Sequence, residues 1–362
     1  MSVRVSKLIA LEPYVLAADA PLRMAIERLT VAAEHKFQIV CDERGRLIGT
    51  VTDGDIRRAL LRGIGLGDPV SRCMQQNPTT GRVDAESRNR VILRAVGAQT
   101  AFLPLLDSSG VLRGVLVRGT NQPETVALVM AGGFGRRLGE RTKDTPKPLI
   151  KVGEKPILEH ILDKLEGAGA RQIYISVHYL AERIFEFVAA RPSPARIDLL
   201  RESKPLGTAG AIGLLPDPMP APFVIINGDI LTNVDFVAMH DFHVRHGYDA
   251  TLAVAHHDVT VPYGVVRMDD EGHFHGIDEK PTLTHFVAAG IYLLSPEFRS
   301  LVRKGDTIDM PELLERGRTI GLKTGLFPIH EYWTDVGRPE DLENARRIER
   351  AASGAAEQKP KD

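Results

Sequence analysis

Residues 126–149 read VALVMAGGFGRRLGERTKDTPKPL. Five apolar residues run unbroken into Ala131-Gly132-Gly133-Phe134-Gly135, which predicts a buried strand opening directly into a glycine turn. Glycines at such a junction let backbone amides come close to a phosphate and point at it. Tight turns after strands use glycine for other reasons too, so the flanking cations carry the reading. Arg136 and Arg137 follow the turn, and Lys147 stands between Pro146 and Pro148. Fixed amide donors and mobile cations thus converge on a polyanion. The spacing is neither GxxxxGK[ST] nor GxGxxG, which argues against a kinase-type phosphate loop and against a dinucleotide site.

Outward from this stretch, the downstream sequence alternates helix-like and strand-like segments. A helical pattern in ILEHILDKLEGAG (157–169) precedes the apolar RQIYISV (171–177), and a second apolar run, FVIINGD (223–229), follows. This is the βαβ rhythm of a doubly wound, mostly parallel sheet covered by helices, so residues 125–352 read as an α/β domain. A last helix is expected over 339–352, and residues 353–362, ending in GAAEQKPKD, as a frayed tail. On the other side, VRGTNQPET (117–125) is polar, contains Gly119 and Pro123, and reads as a linker. Upstream of it lie two half-similar units, 1–62 and 63–120. The first offers PLRMAIERL, FQIVCDERGRLIGTVT and DIRRALLRG; the second offers SRNRVILRAV and FLPLLDSSGVLRGVLV. Each is a helix with two short strands, an α+β repeat of about sixty residues.

At 362 residues the chain exceeds what one core usually supports, which agrees with several domains. Its 46 basic and 47 acidic side chains leave no basic face for nucleic acid and no polybasic surface for anionic membranes. No apolar run reaches the roughly twenty residues of a spanning helix. The N-terminal apolar stretch contains acidic residues and a proline, unlike a secretory signal. Two cysteines, Cys41 and Cys73, fit a reducing compartment, and the histidines form no HExxH pattern. A cytoplasmic protein is expected, without nucleic-acid or membrane partners and without a tightly held transition metal.

Further motifs follow in order: Leu206-Gly207-Thr208-Ala209-Gly210, Asn227-Gly228-Asp229, Tyr263-Gly264, Glu279-Lys280-Pro281, Ala289-Gly290-Ile291-Tyr292 and Trp333-Thr334-Asp335-Val336-Gly337. Asp229 ends an apolar strand, where open α/β sheets bind ligands, although NGD alone is also turn chemistry. With Asp335 it could supply two hard oxygen ligands to Mg²⁺. Together with the AGGxGxRL loop and the PKP lysine, these motifs closely resemble the sugar-1-phosphate nucleotidyltransferases over roughly residues 126–352. The resemblance implies attack by a sugar 1-phosphate oxygen on the α-phosphorus of an NTP, in line with departing pyrophosphate. It implies catalytic roles for Arg137 at the β- and γ-phosphates, Lys147 at the α-phosphate and Lys280 at the sugar phosphate. Nucleotide contacts fall to Ala131, Gly132, Gly133, Gly135, Arg136, Glu202, Gly207 and Thr208. The sugar-phosphate pocket falls to Gly264, Glu279, Ala289 and Gly290, and Mg²⁺ to Asp229 and Asp335. A phosphate monoester is already ionised at neutral pH, so no general base is required.

The N-terminal repeat resembles a tandem pair of CBS domains, most specifically at Gly49-Thr50-Val51-Thr52-Asp53-Gly54-Asp55-Ile56-Arg57. The resemblance implies an adenosine nucleotide whose ribose is held by Thr52 and Asp55. Asp55 also reads as an acid capping the helix that follows. In the second unit the corresponding Gly114-Val115-Leu116-Val117-Arg118-Gly119 lacks both groups. Nucleotide sensing and assembly both stay open, and a homo-oligomer is expected.

By its resemblance to guanylyltransferases of this family with a similar E-x-x-x-LGTAG stretch, Glu202 is expected to touch the edge of the nucleobase. A carboxylate only accepts, and guanine presents two adjacent donors, which makes GTP the expected substrate and UTP or dTTP the alternative. Glu202 as a surface charge paired with Arg201 or Lys204 is the competing reading. A catalytically silent, nucleotide-binding assembly subunit would show a degenerate loop or missing acids, and here all are intact. The chain ends without hexapeptide repeats, so no appended acyltransferase is expected. The expected acceptor is a hexose or aminohexose 1-phosphate.

Overall fold

TVALVM, with alternate and adjacent apolar positions both buried, forms the central strand β1 (Thr125–Met130) of a seven-stranded sheet. The others are β2 (Ala170–Val177), β3 (Arg196–Arg201), β4 (Phe223–Asn227), β5 (Ala250–Thr260), β6 (Thr282–Leu294) and β7 (Thr324–Pro328). Their order is β3-β2-β1-β4-β6-β5-β7. β1 runs parallel to β2 and β4, β2 to β3, and β5 to β7, whereas β6 runs antiparallel to β4 and β5. The chain therefore winds from β1 outward to β3 and restarts at β4 on β1's other side. That reversal puts a crevice at the carboxyl ends of β1 and β4, where the glycine turn and Asp229 emerge.

Helices cover both faces. Ile157–Gly167 places Ile157, Leu158, Ile161, Leu162 and Leu165 on one stripe, all buried against the β1, β2 and β4 side chains Ala127, Val129, Ile173, Ile175 and Ile226. On the opposite face Leu128, Phe223, Ile225 and Leu294 pack with Phe298, Ile308 and Leu313. Burying each Leu or Ile contributes roughly 1.5–3 kcal/mol, so these two layers hold the switch point rigid. β5 and β6 run on past the core as an exposed two-stranded arm that carries a small hairpin, Val265–Met268 with Phe274–Asp278.

The computed structural model describes residues 5–31, 36–95, 102–118, 125–219 and 221–357, and contacts divide the chain into two compact units, Met1–Gln122 and Pro123–Asp362. Most of the expected linker, 119–124, lies outside the described residues. The last helix is longer than its periodicity suggested: it spans Pro339–Glu357, through Ala352 and into the expected tail. The added residues are mostly alanine and glutamate, good helix formers, and a single glycine costs only about 1 kcal/mol. Residues 358–362 of that tail lie outside the described residues.

In the N-terminal unit the first repeat forms a three-stranded sheet of Val15–Ala17, Phe37–Cys41 and Leu47–Thr52. The second contributes Gly81–Arg82, Phe102–Leu106 and Leu112–Arg118 to a four-stranded sheet, whose remaining strand is Val5–Leu8 from the start of the first repeat. Corresponding positions of the repeats meet: the Phe37 and Phe102 rings stack with centroids 4.1 Å apart. Thr52 caps the helix Asp53–Leu61 through a capping box. Its Oγ1 donates to Asp55 Oδ2 (2.6 Å), and its backbone N–H donates to the same oxygen (2.9 Å). Thr52→Ala is expected to destabilise this helix by about 1 kcal/mol. Hydrogen exchange in Asp53–Leu61 of the full chain measures it, and unaltered protection would show that the cap contributes nothing.

Candidate active site

The site assembles where β1 and β4 end side by side. Gly228 N–H donates to the Met130 carbonyl (2.8 Å), which draws the turn after β4 against the one after β1. A Cβ on Gly228 would sit 2.8 Å from that carbonyl oxygen, so this approach needs glycine. Ala131 N–H donates to the Ser176 carbonyl on β2 (2.9 Å), which anchors the first residue of the loop. Gly135 adopts φ 64°, and a side chain there would strike Thr142 and Lys147. Gly133 faces open space.

A cavity of about 270 Å³ opens between the turns, lined among others by Ala131, Gly132, Gly133, Lys147, Glu202, Gly207, Thr208 and Asp229. Eight of the expected site residues therefore share one wall. Met130, Phe134, Ser176, Leu206 and Asn227 also line it. Of these, Ser176 was missed by sequence reasoning; its one signal is a hydroxyl residue at the carboxyl end of an otherwise apolar parallel strand.

Lys147 is only 8 % exposed. Its ammonium forms a short ion pair with Asp229 and lies 3.6 Å from Asp335 Oδ1. The two acids meet because the short strands Ile230–Thr232 and Trp333–Asp335 pair antiparallel, with Ile230 opposite Asp335, and because Val336 N–H donates to the Asp229 carbonyl (3.0 Å). Burial and the Asp229 carboxylate push the Asp335 carboxyl above its ordinary 3.8, and Lys147 and Arg137 pull it back. Asp335 keeps 43 % of its side chain exposed, yet its Oδ1, like Asp229 Oδ1, is covered and accepts no hydrogen bond among the described residues. Two convergent carboxylate oxygens of this kind fit a hard divalent cation, which takes one or two carboxylates and completes its shell with water and phosphate. Arg137 is exposed, and its guanidinium reaches the neighbourhood of Gly337 and Asp335. The side chain of Arg136 lies outside the described residues.

Glu202 is buried, at 6 % exposure, and Arg201 turns away to pair with Glu182 instead. The Glu202 carboxylate accepts from the Ser176 hydroxyl at Oε1 and from Leu206 N–H at Oε2 (3.1 Å). It lies against Gly132, where a Cβ would come within 2.8 Å of Oε1. The surface-charge reading of Glu202 is thereby excluded. The turn after it is held from a distance. Asp309 Oδ1 accepts from Thr208 N–H (2.8 Å) and from Thr208 Oγ1 (3.1 Å), while Thr208 Oγ1 accepts from Met310 N–H (2.9 Å). Gly207, at φ 79°, has no space for a side chain beside Ile308 and Asp309.

The expected sugar-phosphate residues divide. Gly290, buried at φ 69°, packs against the Asn227 amide, and the Ala289 carbonyl accepts from Trp333 Nε1 (2.8 Å). Both border the site through these neighbours. Gly264, Glu279 and Lys280 lie on the exposed arm, where Gly264 and the Glu279 carboxylate adjoin each other, and none of the three lines the cavity. Thr52 and Asp55, in the other unit, are engaged with each other in the capping box, and Arg58 pairs with Asp55.

The nucleotidyl transferase family model matches residues 126–351, which is more than half of the chain. The chain belongs to the nucleotidyl transferase family. A CBS domain model matches residues 5–62. Among curated relatives, the mannose-1-phosphate guanylyltransferase catalytic subunit beta of Drosophila pseudoobscura pseudoobscura is 33 % identical over 229 residues, covering 60 % of each protein. The probable mannose-1-phosphate guanylyltransferase 1 of Oryza sativa subsp. japonica is 33 % identical over 233 residues, covering 61 % of this chain and 64 % of the relative. The matched region thus spans about three fifths of these relatives. Of solved structures, HddC from Yersinia pseudotuberculosis superposes with a TM-score of 0.50 at 28 % identity, covering 62 % of this chain and 99 % of that one. Nucleotidyltransferases of this family generally use a divalent metal, and the Asp229–Asp335 pair is where this chain could hold it. Among the described residues no helix is long and apolar enough to cross a membrane.

Proposed function

We propose that this chain transfers a guanylyl group from GTP to a hexose 1-phosphate, mannose 1-phosphate foremost, and releases pyrophosphate. The observation that carries the reading is Glu202: a buried carboxylate on the cavity wall, facing the glycine loop, with each oxygen held by one protein donor. Each oxygen keeps lone-pair capacity for one donor of a two-donor edge, and guanine has such an edge. Uracil and thymine would place a carbonyl against this charge. The names of the curated relatives agree with GTP and supply mannose as the acceptor sugar.

In this reading the amides of Gly132 to Gly135, with Arg137, bind the triphosphate, and Lys147 neutralises the α-phosphate. Mg²⁺, held by Asp229 and Asp335, would screen the repulsion between the two phosphate substrates and stabilise charge on the leaving pyrophosphate. The acceptor oxygen is already anionic, so the chain's task is alignment and electrostatic stabilisation rather than proton transfer. Glu279 and Lys280 would meet the sugar 1-phosphate from the arm. For the N-terminal unit, a ribose would share Asp55 with the helix cap and with Arg58, whereas an assembly role leaves both in place.

The test is pyrophosphate release from GTP, ATP, UTP, dTTP and CTP, each with mannose, glucose and glucosamine 1-phosphate. GTP with mannose 1-phosphate is expected to be fastest. Release from no pair would sink the enzyme reading, and a preference for UTP or dTTP would sink the guanylyl assignment alone. Glu202→Gln is expected to lower the GTP-over-UTP ratio about tenfold or more, since a charge-assisted bond is worth roughly 1.5–3 kcal/mol.

A further inference from the structure

We propose that Ser176 is a positioning residue that sets nucleobase preference through Glu202. The inference rests on the base-reading role given to Glu202 above. Ser176 lies on β2 with no exposed surface, between buried Ile175 and Val177. A buried hydroxyl in a sheet interior needs a partner, and this one donates to Glu202 Oε1. The fold has little other use for it, because alanine would fill the same space without a polar group to satisfy.

The last torsion of a glutamate side chain is broad and roughly two-fold, so a single hydrogen bond does not fix the plane of its carboxylate. Leu206 N–H pins Oε2 at 3.1 Å, and the Ser176 hydroxyl pins Oε1. Only the two together hold the plane, with one open acceptor direction on each oxygen. The Ser176 carbonyl meanwhile accepts from Ala131 N–H at 2.9 Å, the first amide of the phosphate loop. One residue thus ties the base-reading carboxylate to the loop that receives the triphosphate. Without the hydroxyl, Oε1 loses its donor beside Gly132, and the carboxylate is free to rotate out of register with a two-donor base edge.

The experiment compares GTP with inosine triphosphate, which keeps the ring N1–H but lacks the exocyclic amine. Values of kcat and KM are measured for both nucleotides in the wild-type chain, Ser176→Ala, Ser176→Cys, Glu202→Gln and the double variant Ser176→Ala/Glu202→Gln. Ser176→Ala is expected to lower the GTP-over-ITP ratio of kcat/KM about five- to tenfold, mostly through KM for GTP, with kcat little changed. Ser176→Cys, similar in shape and a weaker donor, falls between it and the wild type. In the double variant the ratio is expected to match Glu202→Gln alone, because the hydroxyl acts only through that carboxylate. An unchanged ratio in Ser176→Ala, or effects that multiply in the double variant, would overturn the positioning role while leaving Glu202 as the reader. An unchanged ratio in Glu202→Gln removes the base reading itself, and the role of Ser176 with it. If Ser176→Ala fails to fold, the cysteine variant decides by the same ratio.

Discussion

Asp229→Asn and Asp335→Asn should each reduce turnover by about a thousandfold while the chain stays folded. Each replacement keeps side-chain volume and removes one hard anionic ligand from a pair whose Oδ1 atoms have no hydrogen-bond partner among the described residues. A divalent cation contributes several kcal/mol of charge stabilisation to phosphoryl chemistry, and each 1.36 kcal/mol is tenfold in rate, so about three decades is the scale. Asp335 ends one of the two short paired strands and Asp229 immediately precedes the other, both outside the seven-stranded sheet, so neither change should disturb that sheet. The measurement is the kcat for pyrophosphate release at saturating GTP and Mg²⁺, with circular dichroism as the control for folding. Near-wild-type rates in either variant would remove that residue from the metal site.

Lys147→Met is the second large effect, and it has two readouts. On the proposed role of Lys147 at the α-phosphate it removes a buried cation of the site, and a loss of about 10²–10³ in kcat/KM is expected, comparable with deletion of one preorganised electrostatic donor. In stability it leaves Asp229 and Asp335 facing each other without their shared counter-ion. Breaking a fully buried ion pair costs about 3–5 kcal/mol. Here Asp229 is 23 % exposed and Asp335 43 %, so solvent screens part of the loss and about 1–3 kcal/mol is expected. Added Mg²⁺ should then raise the unfolding temperature more in Lys147→Met than in the wild type, because the lysine no longer competes for the same oxygens. Equal shifts in the two proteins would mean that Lys147 and the metal do not share a site.

Much of this protein was legible one segment at a time. The strand entering the glycine loop was readable, and the PKP lysine and the two acids could be singled out as candidates, because the demands that phosphate and metal chemistry place on residue type at strand ends are local; the structure brings these three side chains together. The doubly wound sheet was readable because apolar periodicity reports which face of an element is buried. The capping box at Thr52 and Asp55 was likewise present in local spacing as one of two readings, and the hydrogen bonds form it. By contrast, local sequence says nothing about partners far along the chain. Asp309 holds Thr208 from 101 residues away, and Lys147 meets Asp229 across 82. The opening strand Val5–Leu8 leaves its own repeat to complete the sheet of the next, a pairing that backbone hydrogen bonds permit without any residue signature. Arg201 and Glu202 are adjacent charges on paper. The pleat sends Arg201 to solvent and the end of β3 turns Glu202 inward to the Ser176 hydroxyl, so burial, which separates a surface ion pair from a carboxylate on the cavity wall, was decided only by the packed sheet.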